Sequence, residues 1–112
     1  MNGVGIDIVE IDRIRKAIGR RSFVEKVLSE DEIARFDGFP EHRQLEFIAG
    51  RFVAKEAIIK CLSDYEDPIM KDLNITNNEK GKPEIEYKDY RIRLSISHER
   101  NYAVAIAILE EN

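Results

Sequence analysis

Residues 41–62, EHRQLEFIAGRFVAKEAIIKCL, decide how the rest of the chain is read. The stretch consists of strong helix formers and repeats apolar residues at Leu45, Ile48, Ala49, Phe52 and Ile59, so it predicts one long helix. At about 100° per residue those five positions fall within an arc of roughly 100°, and Glu56 falls near its centre. The expectation is that Glu56 points inward. There an ionised carboxylate without a partner costs several kcal/mol, so it has to be paired, protonated or bound to a cation. Lys60 follows one turn on, at the edge of the arc. An ordinary Glu56 to Lys60 pair at i, i+4, worth a few tenths of a kcal/mol on a wet surface, accounts for the spacing equally well.

Towards the N-terminus, Ser29-Glu-Asp-Glu32 has the form of a capping box and predicts a short helix through about Phe36, closed by Gly38 and Pro40. Before it, residues 10–20 predict the first helix, with Ile11, Ile14 and Ile18 on its apolar side and Gly19 as its stop. Its outer side carries Arg13, Lys16 and Arg20, with Arg15 and Arg21 nearby, on a chain of net charge −4. Such a stripe is either a solvated face or a docking surface for an acidic partner. The net negative charge and the lack of a second basic patch argue against nucleic acid. Residues 3–9, GVGIDIV, predict a strand with Val4, Ile6 and Ile8 on one face and Gly3, Gly5, Asp7 and Val9 on the other. Asp is depleted in strands, so Asp7 needs a reason. Either it serves the start of the following helix, or the two glycines bare a face so that a ligand or another backbone can approach a carboxylate.

Beyond Leu62 the segment SDYEDP is an acidic turn, and residues 69–76 predict a strand. Turn residues at 77–83 return the chain through residues 84–87 as the second arm of a hairpin. Residues 91–97 alternate Ile92, Leu94 and Ile96 with Arg93, Ser95 and Ser97. Residues 102–109, YAVAIAIL, are apolar on both faces, which suits a strand covered on both sides by helices or by another subunit. His98 stands at the exposed tip between the two. Three helices and five strands, ending in two adjacent strands, predict an α+β fold with helices packed on a small antiparallel sheet. Residues 1–112 are expected to form one domain that buries about two thirds of its unfolded surface, small enough that self-association is expected. With 43% hydrophobic and 36% charged residues, the chain is neither disordered nor membrane-spanning. The lone Cys61 makes no intramolecular disulfide or zinc cluster and is read as a small core residue. No apolar run follows the N-terminus, and Asp7 and Glu10 come early, so a cytoplasmic protein without a secretory or transit signal is expected.

Three motifs stand in order: GIDIVEIDRI at 5–14, GRFVAKEAIIKCL at 50–62 and SISHERNYAVAIAI at 95–108. Together they resemble the holo-acyl-carrier-protein synthases, the small bacterial branch of the 4′-phosphopantetheinyl transferases. The resemblance spans nearly the whole chain. It implies transfer of the phosphopantetheine arm of coenzyme A to a serine of apo acyl carrier protein, in fatty acid biosynthesis, by a homotrimer with sites at its subunit interfaces. It further implies that Asp7 and Glu56 are carboxylate ligands of a Mg²⁺ that also holds the pyrophosphate, and a hard octahedral ion suits such a set. Lys60 matches a lysine that meets a phosphate oxygen, and Ser95, Ser97 and His98 match a tract on the coenzyme A side. Arg43 and Arg51 fall near nucleotide-phosphate positions, and Gly81, Lys82 and Pro83 resemble a loop over the adenosine end. The stripe of Arg13, Lys16 and Arg20 corresponds to the docking surface for the carrier protein. Glu56, a water on the metal and His98 all remain open as the general base. The chain departs from the family at residues 63–68, where many members have a Gly-Thr-Gly turn and this one has no glycine. Two other classes stay open: a non-catalytic module that binds acidic proteins, and a different Mg²⁺-dependent enzyme acting on nucleotides.

Overall fold

The computed structural model describes residues 2–110. The chain runs through β1 (Gly3–Glu10), α1 (Ile11–Ala17), α2 (Arg21–Val27), α3 (Glu30–Asp37), α4 (Glu41–Cys61), a 3₁₀ turn at Met70–Asp72, β2 (Ile75–Asn77), β3 (Pro83–Ile85), β4 (Arg91–His98) and β5 (Tyr102–Glu110). It is an α+β fold with small antiparallel sheets. β5 is central in a three-stranded sheet of order β1-β5-β4, and β2 and β3 form a separate hairpin.

Register decides the two faces of the larger sheet. Asp7 lies opposite Ala105 and Gly5 opposite Ala107, while Leu94 also pairs with Ala107. These residues, with Val9, Ala103 and Leu109, form the face that α4 covers. Small side chains there let the helix come close. On the other face Val4 meets Ile108, Ile6 meets Ile106 and Ile8 meets Val104, with Ser95 and Ser97 beside them on β4. That face is open in the single chain: Val4, Ile6 and Ile8 are each at least 60% exposed.

The long helix forms as its composition predicts, but its buried side is not the one its large apolar residues suggest. Ala54 and Ala57 turn to the sheet, while Arg51, Lys55 and Ile58, on the other flank, are buried too. Leu45, Phe52 and Ile59 are only half-buried, as is Glu56. Glu56 therefore sits on the thinly covered side rather than at the centre of a buried face. Among the described residues the fully buried carboxylate is Glu32, 1% exposed. It completes the capping box with Ser29, accepts a hydrogen bond from the Ile75 amide at 2.9 Å, and pairs with the fully buried Lys55. Lys55 also donates to the Val27 carbonyl at 2.7 Å. The charge is thus taken out of water with hydrogen-bond partners on both carboxylate oxygens and on the ammonium.

Two expected elements come out differently. The first helix forms but ends at Ala17, and a further helix that the sequence does not announce, α2, starts at Arg21. α2 is seven residues long without a side-chain cap, too short for its period to stand out in sequence. It is held by burial of Val24 and Val27. The expected strand over 69–76 is a 3₁₀ turn followed by only three strand residues.

Candidate functional site

β1 crosses α4 with its backbone almost touching the helix. A Cβ on Gly5 would lie 1.9 Å from the Ala57 carbonyl oxygen, and one on Gly3 would lie 2.2 Å from that of Cys61. Only glycine permits that separation, and Asp7 is thereby brought onto the flank of α4 that carries Glu56 and Lys60. Lys60 Nζ donates to Asp7 Oδ1 at 3.0 Å and to the Ile6 carbonyl at 3.1 Å. The Asp7 side chain is 20% exposed and that of Lys60 53%, so the pair opens to solvent. Glu56 belongs to the same cluster. Partial burial raises its carboxyl pKa above the ordinary value, the negative charge of Asp7 adds to the rise, and Lys60 and Lys26 oppose it. A carboxylate held beside a second negative charge forms a site that a cation relieves.

Two is also the number. Among the described residues no group of three or more His, Cys, Asp and Glu side chains gathers to hold a metal ion. A pair of carboxylates with no soft ligand leaves positions to be filled by other oxygens, which fits Mg²⁺ bound jointly by protein and phosphates.

The remaining sequence-predicted residues lie elsewhere on the chain. His98 ends β4 and borders a cavity of about 1300 Å³ together with Arg15, His42 and Arg100; Asp7, Glu56 and Lys60 do not line it. Ser95 and Ser97 are exposed on the open face of the sheet, opposite to the face that carries Asp7. Gly81, with φ +85°, Lys82 and Pro83 belong to the β2–β3 hairpin, where the Lys82 amide donates to Asn78 Oδ1 at 3.0 Å. Arg43, in the first turn of α4, stacks its guanidinium 4.5 Å from the Phe39 ring centre. Arg51 is only 6% exposed, donates to the Ile75 carbonyl at 3.1 Å and to Asn77 Oδ1 at 2.8 Å, and lies over Phe47.

The basic stripe is partly neutralised. Asp12 pairs with Arg15 at 2.7 Å and with Lys16 at 3.3 Å, and Arg21 pairs with Asp37 at 2.7 Å. Among the described residues Arg13 and Arg20 have no ion-pair partner. The turn after α4 is held by side chains in place of glycine geometry. Ser63 Oγ donates to the Lys60 carbonyl at 2.8 Å, Tyr65 Oη donates to the Asn2 carbonyl at 2.9 Å, and Glu66 pairs with Lys88. Sequence reasoning missed both the buried Glu32–Lys55 pair and Lys26. A lysine directly before a candidate metal ligand is a weak signal for the first, and nothing local signals the second.

Comparison with known proteins gives a consistent result. Residues 3–107 match the family described as the 4′-phosphopantetheinyl transferase superfamily. The chain is 41% identical to a holo-[acyl-carrier-protein] synthase of Staphylococcus carnosus, with 97% of each chain covered. It is 43% identical to one of Oceanobacillus iheyensis over 96% of this chain and 95% of that one. Among solved structures it resembles a holo-(acyl-carrier-protein) synthase from Bacillus anthracis in complex with CoA (3′,5′-ADP), with a TM-score of 0.87, 36% identity and coverage of 98% and 96%.

Proposed function

Because the chain belongs to the 4′-phosphopantetheinyl transferase superfamily, we infer that it is a holo-acyl-carrier-protein synthase serving fatty acid biosynthesis. It transfers the 4′-phosphopantetheine arm of coenzyme A to apo acyl carrier protein. A serine hydroxyl of the carrier attacks the phosphorus next to the pantetheine. The new serine–phosphorus bond forms as the bond to the adenosine side breaks, adenosine 3′,5′-bisphosphate leaves with that electron pair, and the serine proton is lost.

One observation carries the assignment of chemistry to this site: the Asp7, Glu56 and Lys60 cluster, made possible by the bare face of β1 at Gly5. Asp7 and Glu56 would hold Mg²⁺, which when bound neutralises phosphate charge and polarises the phosphoryl group. Lys60 would exchange its contact with Asp7 for a phosphate oxygen, as a mobile point charge suited to that exchange. Arg13, Lys16 and Arg20 would dock the acidic carrier, with Arg13 and Arg20 unpaired among the described residues.

In this reading the nucleotide side would be shared between chains, which the placement of Ser95 and Ser97 on the sheet face opposite to Asp7 supports. A second copy seated on the open face would supply them. The apolar exposure of Val4, Ile6, Ile8, Ile106 and Ile108 supports such an association, and the proposed assembly is a homotrimer with a coenzyme A site at each interface. Among the described residues no helix is long and apolar enough to cross a membrane, and cytoplasmic placement is part of the same proposal.

Incubating the chain with apo acyl carrier protein, coenzyme A and Mg²⁺ tests the function by intact-protein mass spectrometry. The expected result is a carrier heavier by one phosphopantetheine, with release of adenosine 3′,5′-bisphosphate, and no product after chelation. An unmodified carrier at saturating coenzyme A and Mg²⁺ would rule it out.

A further inference from the structure

α2 and α4 run side by side, and two contacts fix how they are aligned. Phe23 on α2 meets Phe52 on α4 with ring centres 6.0 Å apart. One turn further along both helices, the carbonyl of Val27 is held at 2.7 Å by Lys55 Nζ. Lys26 lies one turn after Phe23, and Glu56 lies one turn after Phe52. The alignment therefore sets Lys26 beside Glu56. Lys60, one turn beyond Glu56 on α4, flanks it from the other side.

The two lysines differ in what they already hold. Lys60 is engaged with Asp7 and the Ile6 carbonyl on the β1 side. Lys26 is exposed and, among the described residues, has no hydrogen-bond or ion-pair partner. The buried Lys55 clamps the turn that carries it, so Lys26 projects from a fixed backbone. It also stands on the α1–α2 side of Glu56, the side of the proposed docking stripe. An acceptor serine arriving from there meets first the phosphate that is to be transferred, not the one that departs with adenosine.

We propose that Lys26 is a further substrate-binding residue of this site, contacting the transferred, pantetheine-bearing phosphate of coenzyme A from the α2 side. The assignment rests on the transferase reading above. Lys60 then serves the β1 side of the pyrophosphate and Lys26 the acceptor side, so that the phosphoryl oxygens face a cation on both flanks as charge redistributes over them.

Adenosine 3′,5′-bisphosphate lacks the pantetheine-bearing phosphate, which makes it the control ligand. Calorimetric titration in Mg²⁺ should find coenzyme A bound about tenfold more weakly by Lys26→Ala, with adenosine 3′,5′-bisphosphate changed by less than about twofold. Lys26→Arg should recover most of the difference, and kcat should fall in Lys26→Ala while KM for the carrier stays put. Equal weakening of both ligands, or no change in either, overturns the proposal. A rise confined to the carrier's KM overturns it as well and assigns Lys26 to docking. Titration needs no turnover, so the two readings fail separately. A wild-type chain that leaves the carrier unmodified refutes the transferase, while the ligand comparison alone decides Lys26.

Discussion

Asp7 and Glu56 face the same problem from different elements. Each needs a counter-charge, and among the described residues only Asp7 of the two has one in direct contact, at Lys60. Glu56 shows the strain of that arrangement, its carboxyl raised above the ordinary 4.5 by burial first and by Asp7 second. A carboxyl raised in the folded state contributes stability below its unfolded value, and that contribution is lost as pH rises through the folded one. Glu56→Gln removes the loss. Without Mg²⁺ at pH 7 the variant should therefore melt roughly 1–4 °C higher than the parent. The gap should close on acidification below the ordinary carboxyl range, and Mg²⁺ should raise the parent alone. The same variant, and Asp7→Asn, should lower kcat by at least about a hundredfold, because the charge that holds the cation is gone. A folded variant with near-parental activity at saturating Mg²⁺ would refute the two-carboxylate site. Both residues were legible in the sequence as misfits, one in a strand and one among apolar helix positions. The direction Glu56 faces was not, because α4 packs its small residues, not its large ones, against the sheet.

The contact between β1 and α4 is what turns two misfits into a site. Gly5→Ala places a methyl group against the Ala57 carbonyl oxygen and the Cys61 amide nitrogen, 1.9 and 2.7 Å away, and neither backbone group swings aside as a side chain does. The strand has to lift. We expect a loss of about 3 kcal/mol or more in denaturant unfolding, with activity falling further than stability explains. Gly19→Ala, with nothing within 4 Å of its Cβ, is the matched control and should be close to neutral. The first helix makes a separate prediction. Reversing Arg13 and Lys16 to Glu should raise KM for the carrier by roughly tenfold or more and leave KM for coenzyme A nearly unchanged, and added salt should mimic the change in the parent. A rise for coenzyme A alone would place nucleotide, not carrier, on that face. Elements with local signatures were readable in advance: the capping box at Ser29, the long helix, and the alternation of β4. The α2 helix and the Glu32–Lys55 pair were not, since partners 23 residues apart meet only after folding.

At the scale of the molecule, the two faces of one sheet divide the chemistry. α4 and the carboxylate pair occupy one; the other exposes Val4, Ile6, Ile8, Ile106 and Ile108 with Ser95 and Ser97 beside them. The sequence signalled this in the double-sided apolar pattern of 102–109, but it left open whether helices or another subunit covers the second face. Among the described residues no helix lies there. Closed threefold assembly on that face would bury the apolar residues and carry each chain's serines and His98 towards a neighbour's Asp7 and Glu56. Ile6 and Ile106 are direct cross-strand partners, which allows a selective test. Ile6→Glu together with Ile106→Lys places opposite charges side by side within one chain, a pairing a solvated sheet tolerates, but sets charges into an apolar interface. The expected outcome is a folded monomer by light scattering and circular dichroism, without transferase activity, against an expected trimer for the parent. Mixing Glu56→Gln subunits with His98→Ala subunits should then restore part of the activity that each lacks alone, because some interfaces join an intact carboxylate pair to an intact histidine. A parent that is monomeric at micromolar concentration and fully active would discard the shared site and leave the metal chemistry to stand within one chain.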